Sequence, residues 1–229
     1  MPVCVYAIVP ASLRWRGAWR GVQGELLKTL RCGQIAVVIG TVDAPHRPDR
    51  AHLERHDALM RKIVSDLPAA LPARFGLVVR DVDRVHALVE ASGLSFREAL
   101  RLVAGREQMT LRVTVADTRR RPRATPKSSS TPGPGRQYLT ARLMRSRVPQ
   151  DPNLRALRRR LAALVQKERF QLKDAGHTAT LYHLIERGQS AAYLRKVRAF
   201  SERHPGVKLT ASGPFPPYAF APGLSDEQA

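Results

Sequence analysis

Residues 117–137 read DTRRRPRATPKSSSTPGPGRQ, with four prolines, two glycines, three consecutive serines and no large apolar side chain. A stretch of this kind cannot bury enough surface to offset the entropy lost on ordering. It therefore divides the chain into two folded halves. The expected organisation is an N-terminal domain over 1–116, a flexible basic linker over 117–137, and a C-terminal domain over 138–229 that ends in a proline-rich tail.

Composition bounds what the halves can be. The 229 residues are 43% apolar and 25% charged, which is ordinary for a globular protein. The charge is less ordinary: 39 basic against 19 acidic residues leave +20. Residues 1–116 hold 17 basic and 11 acidic groups, and residues 117–229 hold 22 and 8. Within 119–160, 13 basic groups face the single acid Asp151. Cys4 and Cys32 are too few for a disulfide framework and lie in no CxxC pair, which points to a reducing cytoplasm. No apolar run approaches the ~20 residues of a membrane span. The apolar run 3–9 has no basic residue before it, and Arg14, Arg16 and Arg20 follow it, the reverse of a signal peptide.

Working outward from the divide, period-2 runs alternate with helical patterns. Residues 3–9 (VCVYAIV) and 34–39 (QIAVVI) read as buried strands, and 22–30 reads as a weak helix or an extended segment. Leu53, His56, Met60, Ile63, Val64 and Leu67 recur at three and four, predicting a helix from Asp49 that Pro68 ends. Residues 74–79 read as a third strand. Asp81 then caps one helix through Val89, and Ser95 starts another that Gly105 closes. Met109, Leu111, Val113 and Val115 alternate as a half-buried strand. Beyond the linker, Pro152 and the apolar positions from Leu154 to Phe170 predict one long amphipathic helix. A strand over 178–185, a helix over 191–200 and a strand over 207–210 follow. The fold class is α+β, a sheet on one side and helices on the other. The last piece, GPFPPYAF (213–220), must be extended, because its prolines fix φ.

Motifs for chemistry are scarce. His46, His52 and His56 cluster, but no third and fourth ligand of suitable type accompanies them, so they read as a helix with one packed imidazole. There is no GxSxG elbow, no Walker loop and no GxGxxG after a strand. Cys4 sits inside an apolar strand, and carboxylates are scattered. No enzyme, cofactor or metal is expected. The arginines of 119–160 could neutralise phosphates, which leaves a nucleic-acid-binding protein as the alternative, although Tyr138 is the one aromatic there and no base-reading motif is present.

Four segments, in order along nearly the whole chain, resemble the gas vesicle protein L/F family (GvpL/GvpF). GPFPPYAF (213–220) is similar to that family's closing GPWPPYSF-type tail, and LPARFG (71–76) to its LP-x-RFG segment. GREQMTLRV (105–113) follows its Gly, Glu, alternating-strand pattern, and GRQYL (135–139) resembles its G-x-x-YL. The opening YAIV (6–9) and His56 also fit. Phe215 stands where the family usually has Trp, Ala219 where Ser is common, and the chain is unusually basic. The resemblance implies a ferredoxin-like first domain, a helix-rich α+β second domain and a tail packed on the body. It also implies an accessory role in gas vesicle assembly, with the hydrophobic shell protein and other accessory proteins as partners, and a place in the cytoplasm at the gas vesicle. Candidate partner-binding residues are Arg74, Phe75, Glu107, Phe215, Pro217 and Tyr218; none is catalytic.

Overall fold

The computed structural model describes residues 1–13, 18–44, 47–115, 151–173 and 178–223. The linker 117–137, the GRQYL segment and His46 lie outside these residues. The described chain is α+β, with two antiparallel sheets and four helices. It forms two compact units: Met1–Gln108 with Phe215–Ala229, and Met109–Pro214. These bounds part from those drawn on composition, because packing groups the closing segment with the first unit.

The first unit contains β1 (Val3–Pro10), β2 (Leu27–Cys32), β3 (Ile35–Thr41), α1 (Arg50–Asp66), β4 (Leu71–Pro72), β5 (Val78–Val79) and α2 (Val82–Val103). Its sheet runs β2-β3-β1-β4, with β5 also on β1. Because successive side chains point to opposite faces, the unbroken burial of Val3 to Val9 means that both faces of β1 are covered. α1 sends Met60, Ile63 and Val64 to the face that carries Cys4, Tyr6 and Val9. Val3, Val5 and Ile8 are buried outside that cluster, and α2 is the other helix packed on β1, β2 and β3. Helices thus lie on both faces of this sheet, not on one.

Local signals set most boundaries. The Asp49 side chain accepts the His52 amide at 2.9 Å and caps α1, and Leu67, ahead of Pro68, is extended (φ −111°, ψ 144°). Asp81 caps α2 through the Arg84 amide at 2.9 Å. α2 is one helix of 22 residues, not two. Phe96, Ala99, Leu100 and Val103 continue the buried stripe of Val85, Leu88 and Val89, and that packing carries the helix through Gly93. Segment 22–30 opens as a turn over 22–24 and then becomes extended, entering β2 at Leu27.

The second unit takes β6 (Arg106–Val115) from Met109 on, α3 (Pro152–Leu161), β7 (Val165–Lys173), β8 (Thr178–Glu186), α4 (Ser190–Arg203) and β9 (Val207–Phe215) as far as Pro214, with sheet order β7-β8-β6-β9. Among the described residues this is the βαββαβ connectivity of a ferredoxin-like unit. It occurs here and not in the first unit, where three strands precede the first described helix. Among the described residues each unit holds two helices. The helix expected to run to Phe170 stops at Leu161. Glu168, Phe170 and Leu172 instead alternate with Lys167, Arg169 and Gln171 along β7, paired with β8. Leu154, Leu157 and Leu161 meet Tyr193, Val197 and Phe200 over Met109, Leu111, Val113, Ala179 and Leu181 in one core.

Candidate functional site at the edge of the first sheet

The edge strand beside β1 is broken in the middle. β4 pairs Leu71 with Ile8 and Pro72 with Ala7, and β5 pairs Val78 with Cys4 and Val79 with Val3. Between them, the Ala73 amide donates to the Tyr6 carbonyl (2.8 Å) and the Val5 amide to the Leu77 carbonyl (2.9 Å). Residues 74–76 swing out of the ladder in a turn closed by the Leu77 amide on the Arg74 carbonyl at 3.4 Å. Gly76, at φ +78°, supplies the positive dihedral that the third position of such a turn requires. A continuous strand over 74–79 is therefore corrected to a turn followed by two strand residues. Pro72 is tolerated because an edge strand has no outward partner for the missing amide.

The turn sorts its side chains. Phe75 folds inward and meets the buried His56 ring edge-on at 5.4 Å, and His56 in turn stacks on Tyr6 at 6.3 Å. Arg74 is exposed. Beneath this layer the Tyr6 hydroxyl donates to Glu25 and accepts from the Val22 amide at 3.0 Å. Burial pushes the Cys4 thiol up to about 12 and raises the Tyr6 phenol further, so neither ionises near neutral pH.

The closing strip packs against the same edge. Pro216 and Pro217 are buried, a 3-10 turn spans Tyr218–Phe220, and Phe220 is fully enclosed. The Ala219 amide donates to the Gln108 side-chain oxygen at 2.8 Å. The Arg61 guanidinium lies 5.5 Å from the Phe215 ring centre. Tyr218 packs on the first core; burial raises its phenol, Asp57 adds to that, and Arg61 opposes it. The strip is extended only up to this turn. A cavity of about 230 Å³ is left where Pro72, Ala73 and Arg74 face Tyr218, Ala221 and Pro222.

Of the six candidate residues, Arg74 and Tyr218 line this cavity. Phe75 and Pro217 brace it from inside, Phe215 lies on α1, and Glu107 sits on β6 beside Gln108, outside the lining. Gln108, Asp57 and Arg61 were not singled out in the sequence. Gln108 and Ala219 are 111 positions apart, and no local pattern links them.

The profile of the family described as "Gas vesicle synthesis protein GvpL/GvpF" matches residues 3–222. The chain belongs to the GvpL/GvpF family. It is 30% identical over 235 residues to "Gas vesicle protein L" of a Streptomyces species, covering 90% of this chain and 87% of that one. The crystal structure of GvpF from an Anabaena species superposes with a TM-score of 0.70 at 15% identity, covering 98% of this chain and 97% of that chain. That of GvpF from Microcystis aeruginosa gives 0.70 at 12%, covering 96% and 99%. At these identities the two crystal structures speak for the fold.

A second polar cluster lies in the second unit of this GvpL/GvpF chain. Arg158 binds Glu168 through Nη2 (2.6 Å) and Nε (3.1 Å), and Glu168 contacts His183 Nε2 at 3.0 Å. His183 Nδ1 lies 2.7 Å from the Tyr193 hydroxyl. Burial alone would raise the Glu168 carboxyl, but the hydrogen bonds from His183 and Arg158, and the charge of Arg158, bring it down to about 2. An ionised Glu168 accepts from Nε2–H, leaving Nδ1 to accept a hydrogen bond from the Tyr193 hydroxyl. His183 is 1% exposed and Tyr193 0%, so this end of the cluster ties β8 to α4 inside the core, while the Arg158 and Glu168 side chains at the other end keep 29% and 26% of their surface exposed. Of the clustered histidines His46, His52 and His56, the last is buried in the core, and His52 binds Asp49 at 2.7 Å at the start of α1. Among the described residues no group of three His, Cys, Asp or Glu side chains is placed to hold a metal ion, and no helix is long and apolar enough to cross a membrane.

Proposed function

We propose that this chain serves gas vesicle assembly by binding protein partners and not by catalysis. The partners are the hydrophobic shell protein and other gas vesicle accessory proteins, met in the cytoplasm at the growing vesicle. Family membership supports the assembly role. The observation that carries the binding reading is the convergence of two family-like segments, LPARFG and GPFPPYAF, on one cavity at a sheet edge. An edge bent out of its ladder and covered by a proline-rich strip is protected from indiscriminate strand addition. It still presents Arg74 beside the partly exposed Tyr218, an amphipathic lip for a selective contact. A shell that faces gas must expose apolar surface, and free subunits of that kind aggregate unless shielded. Phe75, Pro217 and Phe215 hold the lip in place, and Glu107 stands behind it on β6.

Co-expression with the shell protein and affinity capture at low salt tests this reading. The folded wild type is expected to retain the shell protein. Arg74→Glu is expected to lower capture about tenfold, roughly 1.4 kcal/mol of binding, without moving the melting temperature. Absence of any association with the wild type overturns it.

A further inference from the structure

We propose that the outward face of α3 and α4 is a docking surface for the phosphate backbone of nucleic acid, engaged without regard to base sequence. This function is independent of the partner-binding reading above. The described side chains of the second unit include thirteen basic and four acidic ones. α3 buries Leu154, Leu157 and Leu161 and turns Arg155, Arg159 and Arg160 to solvent. α4 buries Tyr193, Val197 and Phe200 and exposes Arg195. Lys196 Nζ reaches the Arg160 carbonyl at 3.2 Å, which joins the two rows of cations into one surface.

The acids lie elsewhere or are committed. Asp151 caps α3 by accepting from the Asn153 and Leu154 amides, Glu168 is held by Arg158 and His183, and Glu202 binds Arg198 at 3.3 Å. Glu186 is on β8. Helix electrostatics accounts for part of the cluster, since Arg159 and Arg160 oppose the negative C-terminal end of α3. It does not account for Arg155, the fourth residue of α3, which stands near the positive N-terminal end. Nor does it account for Arg195 and Lys196, which stand past the first turn of α4, where the helix-end effect has died away.

The composition of the face selects the partner. Protein interfaces centre on apolar and aromatic anchors, and here Leu194, at 38%, is the one exposed large apolar side chain among the described residues of the unit. Four of the five cations are arginines, whose planar guanidinium binds phosphate oxygens in pairs. Neither helix exposes an aromatic ring for stacking, so the contact is with the backbone and not with bases.

The test is fluorescence anisotropy of the full chain with a labelled 30-base-pair DNA duplex of random sequence, titrated between 50 and 200 mM salt. Five engaged phosphates contribute a slope of about −4.5 in log K against log salt, about a 500-fold loss of affinity over that range. The variant with Arg155, Arg159, Arg160, Arg195 and Lys196 all changed to Ser is expected to flatten the slope by about that amount. The double reversal Arg155→Glu with Arg195→Glu serves if the fivefold variant does not fold, and is expected to weaken duplex binding at 50 mM at least tenfold. No wild-type binding at 50 mM salt overturns the proposal. So does an unchanged slope in the fivefold variant while Arg119, Arg120, Arg121 and Arg123→Ser abolishes binding. Polyglutamate bound more tightly than the duplex also overturns it and assigns the face to an acidic polypeptide.

Discussion

Phe220→Ala separates a tail that belongs to the core from one that only leans on it. Phe220 is fully enclosed, three residues from the end of the described chain, and its turn is tied to Gln108 by a hydrogen bond. Removing a buried phenyl ring forfeits its transfer free energy and leaves a void, together about 3–5 kcal/mol. For a unit of this size, with a urea m-value of about 2 kcal/mol/M, the midpoint falls by about 2 M. Both tryptophans of the chain precede Gln108 in sequence, and Trp19 packs on the first core, so tryptophan fluorescence reports unfolding of the first unit. Phe215→Ala is the internal control. Its ring is only partly buried and touches a solvated guanidinium, so its loss is expected to cost about 1 kcal/mol. Equal midpoints for the two variants would refute the argument, since the enclosed ring and the half-exposed one would then contribute alike.

Glu168 gives a pH signature. Its folded value of about 2 lies below the ordinary 4.5, so its contribution, about 3 kcal/mol in order of magnitude, is present above pH 4.5 and is lost as pH falls toward 2. The stability gap between wild type and Glu168→Gln, followed by urea denaturation and circular dichroism, is therefore expected to narrow across that window; a constant gap contradicts it. Two glycines are expected to respond with opposite sign. A Cβ on Gly21 would stand 2.0 Å from Glu25 Oε1 and 2.5 Å from the Tyr6 hydroxyl, so Gly21→Ala expels Glu25 and costs about 1–3 kcal/mol. A Cβ on Gly93 meets nothing within 4 Å, so Gly93→Ala stabilises α2 by about 0.5–1 kcal/mol in the same tryptophan assay.

Where a segment's partners are its own neighbours in sequence, the chain alone determined the outcome. The β-branched runs of β1 and β3, the Asp49 and Asp81 caps, the stripe of α1 and the alternation of β6 all act within a turn or two of backbone. The ordered segments that mark the family are local strings too. Only the tertiary structure decided the rest, because the deciding contacts are distant. α2 runs through Gly93 since Phe96 and Leu100 have a sheet to pack on. β7 is a strand because β8 pairs with it along its length, although its apolar spacing also suits a helix. The swing of residues 74–76 out of the edge follows from one glycine dihedral, which a neighbouring run of valines conceals. Likewise, LPARFG and GPFPPYAF meet at one cavity only because Gln108 and Phe220 anchor the strip there, and charge counted along the chain becomes a surface only where α3 and α4 lie side by side.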